Sequence, residues 1–502
     1  MPKYLIGIDN GGTVTKTVLF GTDGETVAIA SRKSDVRMPH PDWTERDMTE
    51  MRETNMDCIR ELIATSGVDP ADIVGIGATG HGNGLYLLDD AGKPVRPAII
   101  STDTRAKDFI DRWYADGTHA KQLPRTMQSI WAGQPPALLA WLKAHEPESY
   151  ARTRWVLSCK DYLGYCLTGK VAYEVTDASA SSLMNLSTRR FDREVLETWG
   201  IGEVIDKLPE VIDSGEVRGG VTAAAAARTG LREGTPVVGG MMDVHAAAVA
   251  TGVTDDTRLC VVAGTWSINE YVSTAPVVSE ELFMTSLFCT PGRWLILEGS
   301  PTSASNLEWF TTYFMGEERR LQCENGARSL YDCASDMVQS ADPGESNVVF
   351  LPFLYGSNAD VHAKACFIGL AGWHTKAHAL RALYEGVVFA HRVHIEKLFA
   401  HSTAPRTIRI AGGAARSAVW LQMFADVLQM PVETVEGEEL SAIGAAIAAG
   451  VGAGCFKDFD ERRMVRVSRV FTPDPANRAV YDRKFALYKD TIAALSGVWR
   501  RF

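Results

Sequence analysis

The stretch that most constrains this chain is Tyr4-Leu5-Ile6-Gly7-Ile8-Asp9-Asn10-Gly11-Gly12-Thr13-Val14-Thr15-Lys16. An apolar run ends in an acidic residue, two glycines turn the chain, and an extended pattern resumes through Phe20, so the spacing predicts a β-hairpin. Gly11 and Gly12 have no Cβ to keep an anion from the backbone N–H groups, Thr13 offers a hydroxyl, and Lys16 offers a charge. Asp9 is placed to hold a magnesium ion bridging phosphate oxygens. Taken alone, the same residues also describe a tight hairpin with no ligand, and the stretch does not choose between the two.

At 502 residues the chain is too long for one core of usual size, and roughly two to four domains are expected. With 46% hydrophobic and 23% charged residues it has the composition of an ordinary globular protein. The net charge of −11, with Lys and Arg unclustered, argues against a nucleic-acid partner or an anionic membrane partner. Nine cysteines show neither CxxC pairs nor metal-ligand spacing, which predicts reduced thiols and a cytoplasmic location. No leader pattern opens the sequence, and the small-apolar run 441–455 is too short and too rich in Gly and Ala to span a bilayer.

Along the first half, a third strand is expected over 25–31. A helix follows, with Thr44 and Asp47 as a capping box and Gly67 as its C-cap, and then a buried strand over 73–77. Three strands, a helix and a strand are not the alternating start of a doubly wound domain. Two motifs mislead. Gly75-Ile-Gly-Ala-Thr-Gly80 matches the dinucleotide fingerprint, yet a loop and a second strand follow it where a helix is required. Gly7 to Gly12 has Walker-like glycine spacing, but Thr13 stands where that motif needs Lys.

The loop around His81, Gly82 and Asn83 combines open space with hydrogen-bonding groups, which suits a small polyhydroxylated ligand and equally suits a plain glycine-rich connection. Asp103 and Trp131 are candidates to complete such a pocket, Trp131 by stacking on a sugar face. Their alternatives are a surface ion pair and a core aromatic. Residues 160–169 read as a short helix ended by glycine, and the polar, small-residue stretch 174–182 is expected near a cleft. Asp243 follows a strand and opens an Ala-rich helix. It is either a simple N-cap or a general base, a carboxylate that takes a hydroxyl proton as the oxygen attacks phosphorus. His245 reads as a packed helix residue.

The second half opens as the first does. An apolar strand over 259–263 meets Gly264-Thr265-Trp266-Ser267 and resumes extended structure, which predicts a second phosphate hairpin and a duplicated domain. Further on, a strand enters Gly412-Gly413, and a helix carrying Ser417 and Trp420 follows. Glycines there let a flat adenosine lie against backbone. The Gly/Ala helix over 442–449 reads as structural.

Asp9 to Thr13 with Lys16, Lys160-Asp-Tyr-Leu to Gly169, Gly239-Gly-Met-Met-Asp243, Gly264-Thr265, Phe367-Ile-Gly369 to Gly386, and Gly412-Gly413 to Trp420 together resemble the FGGY carbohydrate kinase family over nearly the whole chain, in the family's order. The resemblance implies an α/β fold of two actin-like, ribonuclease-H-like domains, expected over 1–248 and 249–502, with the active site in the cleft between them. It implies ATP and Mg2+ as cofactors, held by Gly11, Gly12, Thr13, Lys16, Gly264, Thr265, Gly412, Gly413 and Ser417, with Asp9 on the metal side. Asp243 becomes the base, and His81, Gly82, Asn83, Asp103, Trp131 and Asp243 the sugar contacts.

Further stretches, 301–310, 350–359 and 384–391, point within the family to phosphorylation of a terminal hydroxyl on a small ketose, L-xylulose or a related 2-ketopentose. The alternative substrates are ribulose, erythritol and glycerol. Two departures bear on this. His81-Gly-Asn-Gly84 stands where D-xylulose members tend to carry Gln-Met-His-Gly, and Ala304 replaces a frequent Gly. A homodimer is possible by the same resemblance. An actin-like ATPase binding module is the alternative from another class, and the peptide-binding or polymer-forming element it needs is not visible.

Overall fold

Strand register sets the frame of the N-terminal half. In the computed structural model, which describes residues 2–325, 329–358, 360, 362–402, 405–437 and 439–502, Tyr4–Asn10 and Val14–Gly21 form the expected hairpin, with Asp9 opposite Lys16. Ala359 and the Cys323 side chain lie outside the described residues. Thr26–Lys33 pairs antiparallel on the outer edge. On its other side Tyr4–Asn10 pairs in parallel with Ile73–Gly80, which runs three residues beyond the expected end. Pro236–Val238 and Met241–Met242 both run parallel to Ile73–Gly80, and Val217–Gly220 closes the far edge. No helix follows Gly80. The chain passes through the loop 81–85 into the strand Tyr86–Leu88, which removes the dinucleotide reading.

Alternation along these strands sends Ile6, Ile8, Leu19 and Ile76 into a core with Ile59 and Leu62 of the helix Met48–Ser66. That helix is capped differently from expectation. Asp47 itself is the N-cap, its carboxylate accepting from the N–H groups of Thr49 and Glu50, while the Thr44 N–H is bonded to Asp103. A carboxylate at the N-cap satisfies two orphan donors at once, so Thr44 has no vacant donor to serve. Gly67 ends the helix in the left-handed conformation, as expected.

The helix Leu440–Gly452 packs across the same sheet by a small-residue contact. A Cβ on Gly7 would stand 1.9 Å from the Ala442 carbonyl oxygen, and one on Gly77 would stand 2.0 Å from that of Ala445. Only glycine lets backbone meet backbone there.

The chain divides into two compact units. The first comprises Met1–Thr254, Val272–Ile296 and Gly437–Arg466, and the second Asp255–Tyr271, Leu297–Glu436 and Val467–Phe502. The second repeats the first in its central strands. Arg258–Ala263 pairs antiparallel with Ser267–Ser273 through the Gly264 turn, and in parallel with Thr407–Ala411. Val432–Val435 and Val467–Phe471 extend that sheet, and the C-terminal helix Arg478–Trp499 belongs to the same unit. A hairpin with a parallel third strand therefore occurs twice, as the paired glycine turns predict.

Candidate active site

Three strand ends define the site in the first unit. Register aligns Asn10 with Gly80 and Gly80 with Met242, so the chain leaves the sheet side by side at Gly11, His81 and Asp243. Carboxyl ends of parallel strands are where such sheets bind ligands, because the connecting loops and helix N-termini converge there.

The first turn is strapped. Asn10 Oδ1 accepts from Thr15 Oγ1 at 2.8 Å and from Arg46 Nη1 at 3.2 Å, while Ser34 N–H donates to the Thr13 carbonyl at 2.9 Å. Above Gly12 the space is open, since a Cβ built there meets nothing within 4 Å, and Thr13 is exposed. Lys16 Nζ lies 2.6 Å from Glu439 Oε2, at the residue that opens the helix Leu440–Gly452. Burial pushes the Asp9 carboxyl up to about 7; Asp243 and Glu439 add to the shift and Lys16 opposes it. Asp9, Asp243, Glu439 and Lys16 therefore form one electrostatic group.

Asp243 is the first residue of the helix Asp243–Ala250, and Met242 takes the N-cap position with no side-chain cap. Asp243 Oδ1 accepts from the Val244 N–H at 2.8 Å, which leaves its other oxygen for a different partner. Burial raises its pKa, and the His81 ring opposes that rise. His81 Nε2 lies 2.9 Å from Tyr86 Oη. Burial pulls the His81 ring down, but Cys159 and Asp243 more than offset it, and its pKa ends above the usual histidine range. His245 is a packed helix residue as expected, fully buried and pushed down to about 3 by burial.

Asn83 carries two marks of a ligand position. Its backbone is left-handed at φ 62°, and its Oδ1 is buried with no hydrogen-bond partner among the described residues. Strain and an orphaned acceptor in one residue cost stability unless something else compensates them. At Gly82 a Cβ would stand 2.3 Å from Met242 Cε, so glycine leaves Met242 its place beside Asp243.

The other two sugar candidates both have protein partners. Asp103 is fully buried, accepting from the Thr44 N–H at 2.6 Å and from Arg105 Nε and Nη2 at 2.9 Å each. Trp131 stacks on Phe283 with ring centroids 4.8 Å apart. Residues 174–182, expected as a polar stretch near a cleft, center on a buried helical turn, Val175–Ala180, whose Thr176 hydroxyl accepts from the Met242 N–H next to Asp243. Glu174, Thr176 and Asp177 are at most 2% exposed because their polar groups serve one another and Lys160.

In the second unit the predicted nucleotide residues converge. Gly264, Thr265, Gly413 and Ser417 line one cavity of about 550 Å³ together with Ser305, Tyr384 and Trp420. Gly412 adopts φ 85°, and a Cβ there would stand 2.8 Å from the Ala263 carbonyl, so the two glycine turns lie against each other. Trp420 stacks on Tyr384 at 4.3 Å and donates from Nε1 to its carbonyl, forming a rigid aromatic wall. The volume and the mix of aromatic, hydroxyl and backbone groups suit a nucleoside-sized ligand.

Glu439 and Arg46 were not legible as site residues, since each reaches its place by long-range packing. The acidic start of a Gly/Ala helix was the one available signal, for Glu439.

Models of the FGGY family of carbohydrate kinases match residues 4–250 for the N-terminal domain and 259–453 for the C-terminal domain. The L-xylulose/3-keto-L-gulonate kinase of Escherichia coli (strain K12) is 39% identical over 504 residues, covering 100% of this chain and 99% of that protein. The probable L-xylulose kinase of Pasteurella multocida (strain Pm70) is 37% identical, covering 99% of this chain and 100% of that one. Among solved structures, xylulose kinase from Rhodospirillum rubrum superposes with a TM-score of 0.88 at 29% identity, covering 99% of this chain and 100% of that one.

Proposed function

Because the chain belongs to the FGGY family of carbohydrate kinases, with that family's two-domain, actin-like and ribonuclease-H-like architecture, it is an ATP-consuming carbohydrate kinase, and we propose that its acceptor is the terminal hydroxyl of L-xylulose or a related 2-ketopentose. The observation that carries this reading is the register placing Asp9, His81 and Asp243 at adjoining strand ends, beside an orphaned Asn83 acceptor. The names carried by the 39% and 37% identical relatives support the choice of ketose.

On this reading Asp243 takes the proton of the attacking hydroxyl. Its raised pKa makes the carboxylate a better proton acceptor than an exposed one, while the helix N-terminus still favors its ionized form. Asn83 Oδ1 accepts from a sugar hydroxyl, and His81 orients the ketose. Gly11, Gly12, Thr13 and Lys16, with Gly264 and Thr265, receive phosphate oxygens, and Gly412, Gly413 and Ser417 seat the nucleoside. Holding the reactants in line supplies most of the rate in such transfers.

Magnesium suits the Asp9 corner. No group of three or more His, Cys, Asp or Glu among the described residues is arranged to hold a metal unaided, which matches an ion held by one or two carboxylates plus phosphate oxygens and water. Asp9 would hold it, a positive charge there offsetting the burial and the carboxylate repulsion that raise that carboxyl, and the ion would neutralize charge on the transferred phosphates.

An ATP-consumption assay across L-xylulose, D-xylulose, ribulose, 3-keto-L-gulonate, erythritol and glycerol tests the reading. We expect the highest kcat/KM with L-xylulose. A polyol outperforming every ketose would overturn the substrate assignment.

A further inference from the structure

The residues before Asp243 hang on one buried carboxylate. Met242 N–H donates to Thr176 Oγ1 at 2.9 Å, and the Thr176 hydroxyl donates onward to Glu174 Oε2 at 2.6 Å. On the other arm, Gly240 N–H donates to the Ser214 carbonyl at 2.9 Å, and Ser214 Oγ donates to Glu174 Oε1 at 2.5 Å. Both oxygens of Glu174 are thus used to hold the backbone leading into Asp243. Glu174, Thr176 and Ser214 are all fully buried.

Glu174 is itself held. Lys160 Nζ lies 3.0 Å from its Oε2 and 2.9 Å from Asp177 Oδ2, and Asp161 accepts from the Glu174 N–H at 3.2 Å and pairs with Arg218. The glycines before Asp243 complete the fit. A Cβ on Gly239 would stand 3.0 Å from Glu174 Cγ, and Gly240, at φ 76°, would bring one to 2.0 Å from the Ala78 carbonyl. Burying three carboxylates and two cations is an expensive way to fill space, and apolar residues of like volume would serve stability as well or better. Such a network gives position: bonds to fixed backbone N–H groups leave the Asp243 junction no slack.

We propose that Glu174, acting through Thr176 and Ser214, is a positioning residue that sets where the Asp243 carboxylate stands. The proposal rests on the reading of Asp243 as the base. Thr176 is the informative point, because its hydroxyl is the direct link to Met242 and its methyl group is not.

The test is the single-turnover rate of phosphoryl transfer to L-xylulose by the full chain, normalized to active sites by calorimetric ATP titration. Thr176→Val, which keeps volume and loses the hydroxyl, is expected to slow transfer about 30-fold, since small displacements of a reacting group have effects of this order. Sugar KM should change less than about threefold, because only the reacting group is displaced. Thr176→Ser, which restores the hydroxyl, is expected to recover the rate to within about threefold.

A wild-type rate in Thr176→Val would overturn the proposal, and so would equal losses in Val and Ser, which would assign the effect to the methyl group. Should Thr176→Val not fold, Ser214→Ala takes its place with an expected loss of about tenfold, and an unchanged rate there would overturn the proposal equally. Asp243→Asn runs in parallel. Retained turnover in that variant removes the base reading itself, whereas an inactive Asp243→Asn beside a normal Thr176→Val removes the positioning role alone.

Discussion

Lys16 Nζ lies 2.6 Å from Oε2 of Glu439, a residue 423 positions further along the chain and part of the same compact unit. Glu439 gives the ammonium a counterion near the open face of the first glycine turn, ready to be shared with a phosphate. We expect Lys16→Met to raise KM for ATP about tenfold or more, the size of a charge-assisted hydrogen bond, while sugar KM moves less than twofold. Glu439→Gln should change both far less. Steady-state kinetics with each substrate varied in turn checks this.

Removing the Asp243 carboxylate should separate chemistry from binding. We expect Asp243→Asn to lower kcat by about three orders of magnitude, with ATP affinity by calorimetry within about threefold of wild type. Since burial raises the Asp243 pKa, the acid limb of the wild-type kcat profile should lie above the ordinary carboxylate range. Near-normal turnover in the variant would remove Asp243 from the mechanism.

Asp9 predicts a pH dependence of stability with a definite sign. Its folded pKa, about 7, lies above its unfolded value near 3.8, so between those values the folded chain holds a proton that the unfolded chain has lost. The corresponding stability is fully present below the unfolded pKa and is lost as pH rises through about 7. Magnesium, on our reading, replaces that proton. We expect it to raise Tm more at pH 8 than at pH 5, and Asp9→Asn to flatten the difference. Equal shifts at both pH values would argue against Asp9 as a metal ligand.

Asn83 pays in backbone conformation for a buried Oδ1 that has no hydrogen-bond partner among the described residues. Asn83→Gly accepts the left-handed backbone freely, so stability should stay within about 1 kcal/mol of wild type. Sugar KM should rise about tenfold or more as the acceptor is lost, because a site built to hydrogen-bond a hydroxyl discriminates strongly. Thermal unfolding and ketose kinetics on the same preparation measure both. An unchanged sugar KM would place the acceptor outside the sugar site.

Gly7 offers a purely structural test. Its missing Cβ is what admits the Ala442 carbonyl, so Gly7→Ala should destabilize the fold by about 3 kcal/mol through backbone displacement. Chemical denaturation reads this directly, and a change below about 0.5 kcal/mol would mean that the helix shifts freely.

Local chemistry carried the hairpins at Gly11-Gly12 and Gly264, the Gly67 and Gly169 helix ends, and the missing helix after Gly80. Turns and caps depend on a few adjacent residues, so their rules can be applied to a bare sequence. The Asp47 cap was misjudged, and the full burial of the stretch 174–182 was not foreseen, for a related reason. Which of several polar groups satisfies a given backbone donor depends on what packs nearby, and Thr44 was taken by Asp103 from across the fold.

The sequence by itself therefore determined the elements, the repeated glycine turns and the residue types able to meet phosphate and sugar. Tertiary structure alone decided how they combine. Parallel register brings Asn10, Gly80 and Met242 into line and so sets Gly11, His81 and Asp243 side by side. Long-range packing adds Glu439 to Lys16 and places Glu174 beneath Asp243 through Thr176 and Ser214. The reason is physical: a side chain's partner in a folded chain is set by sheet register and helix packing, and neither distance nor register is written in local spacing.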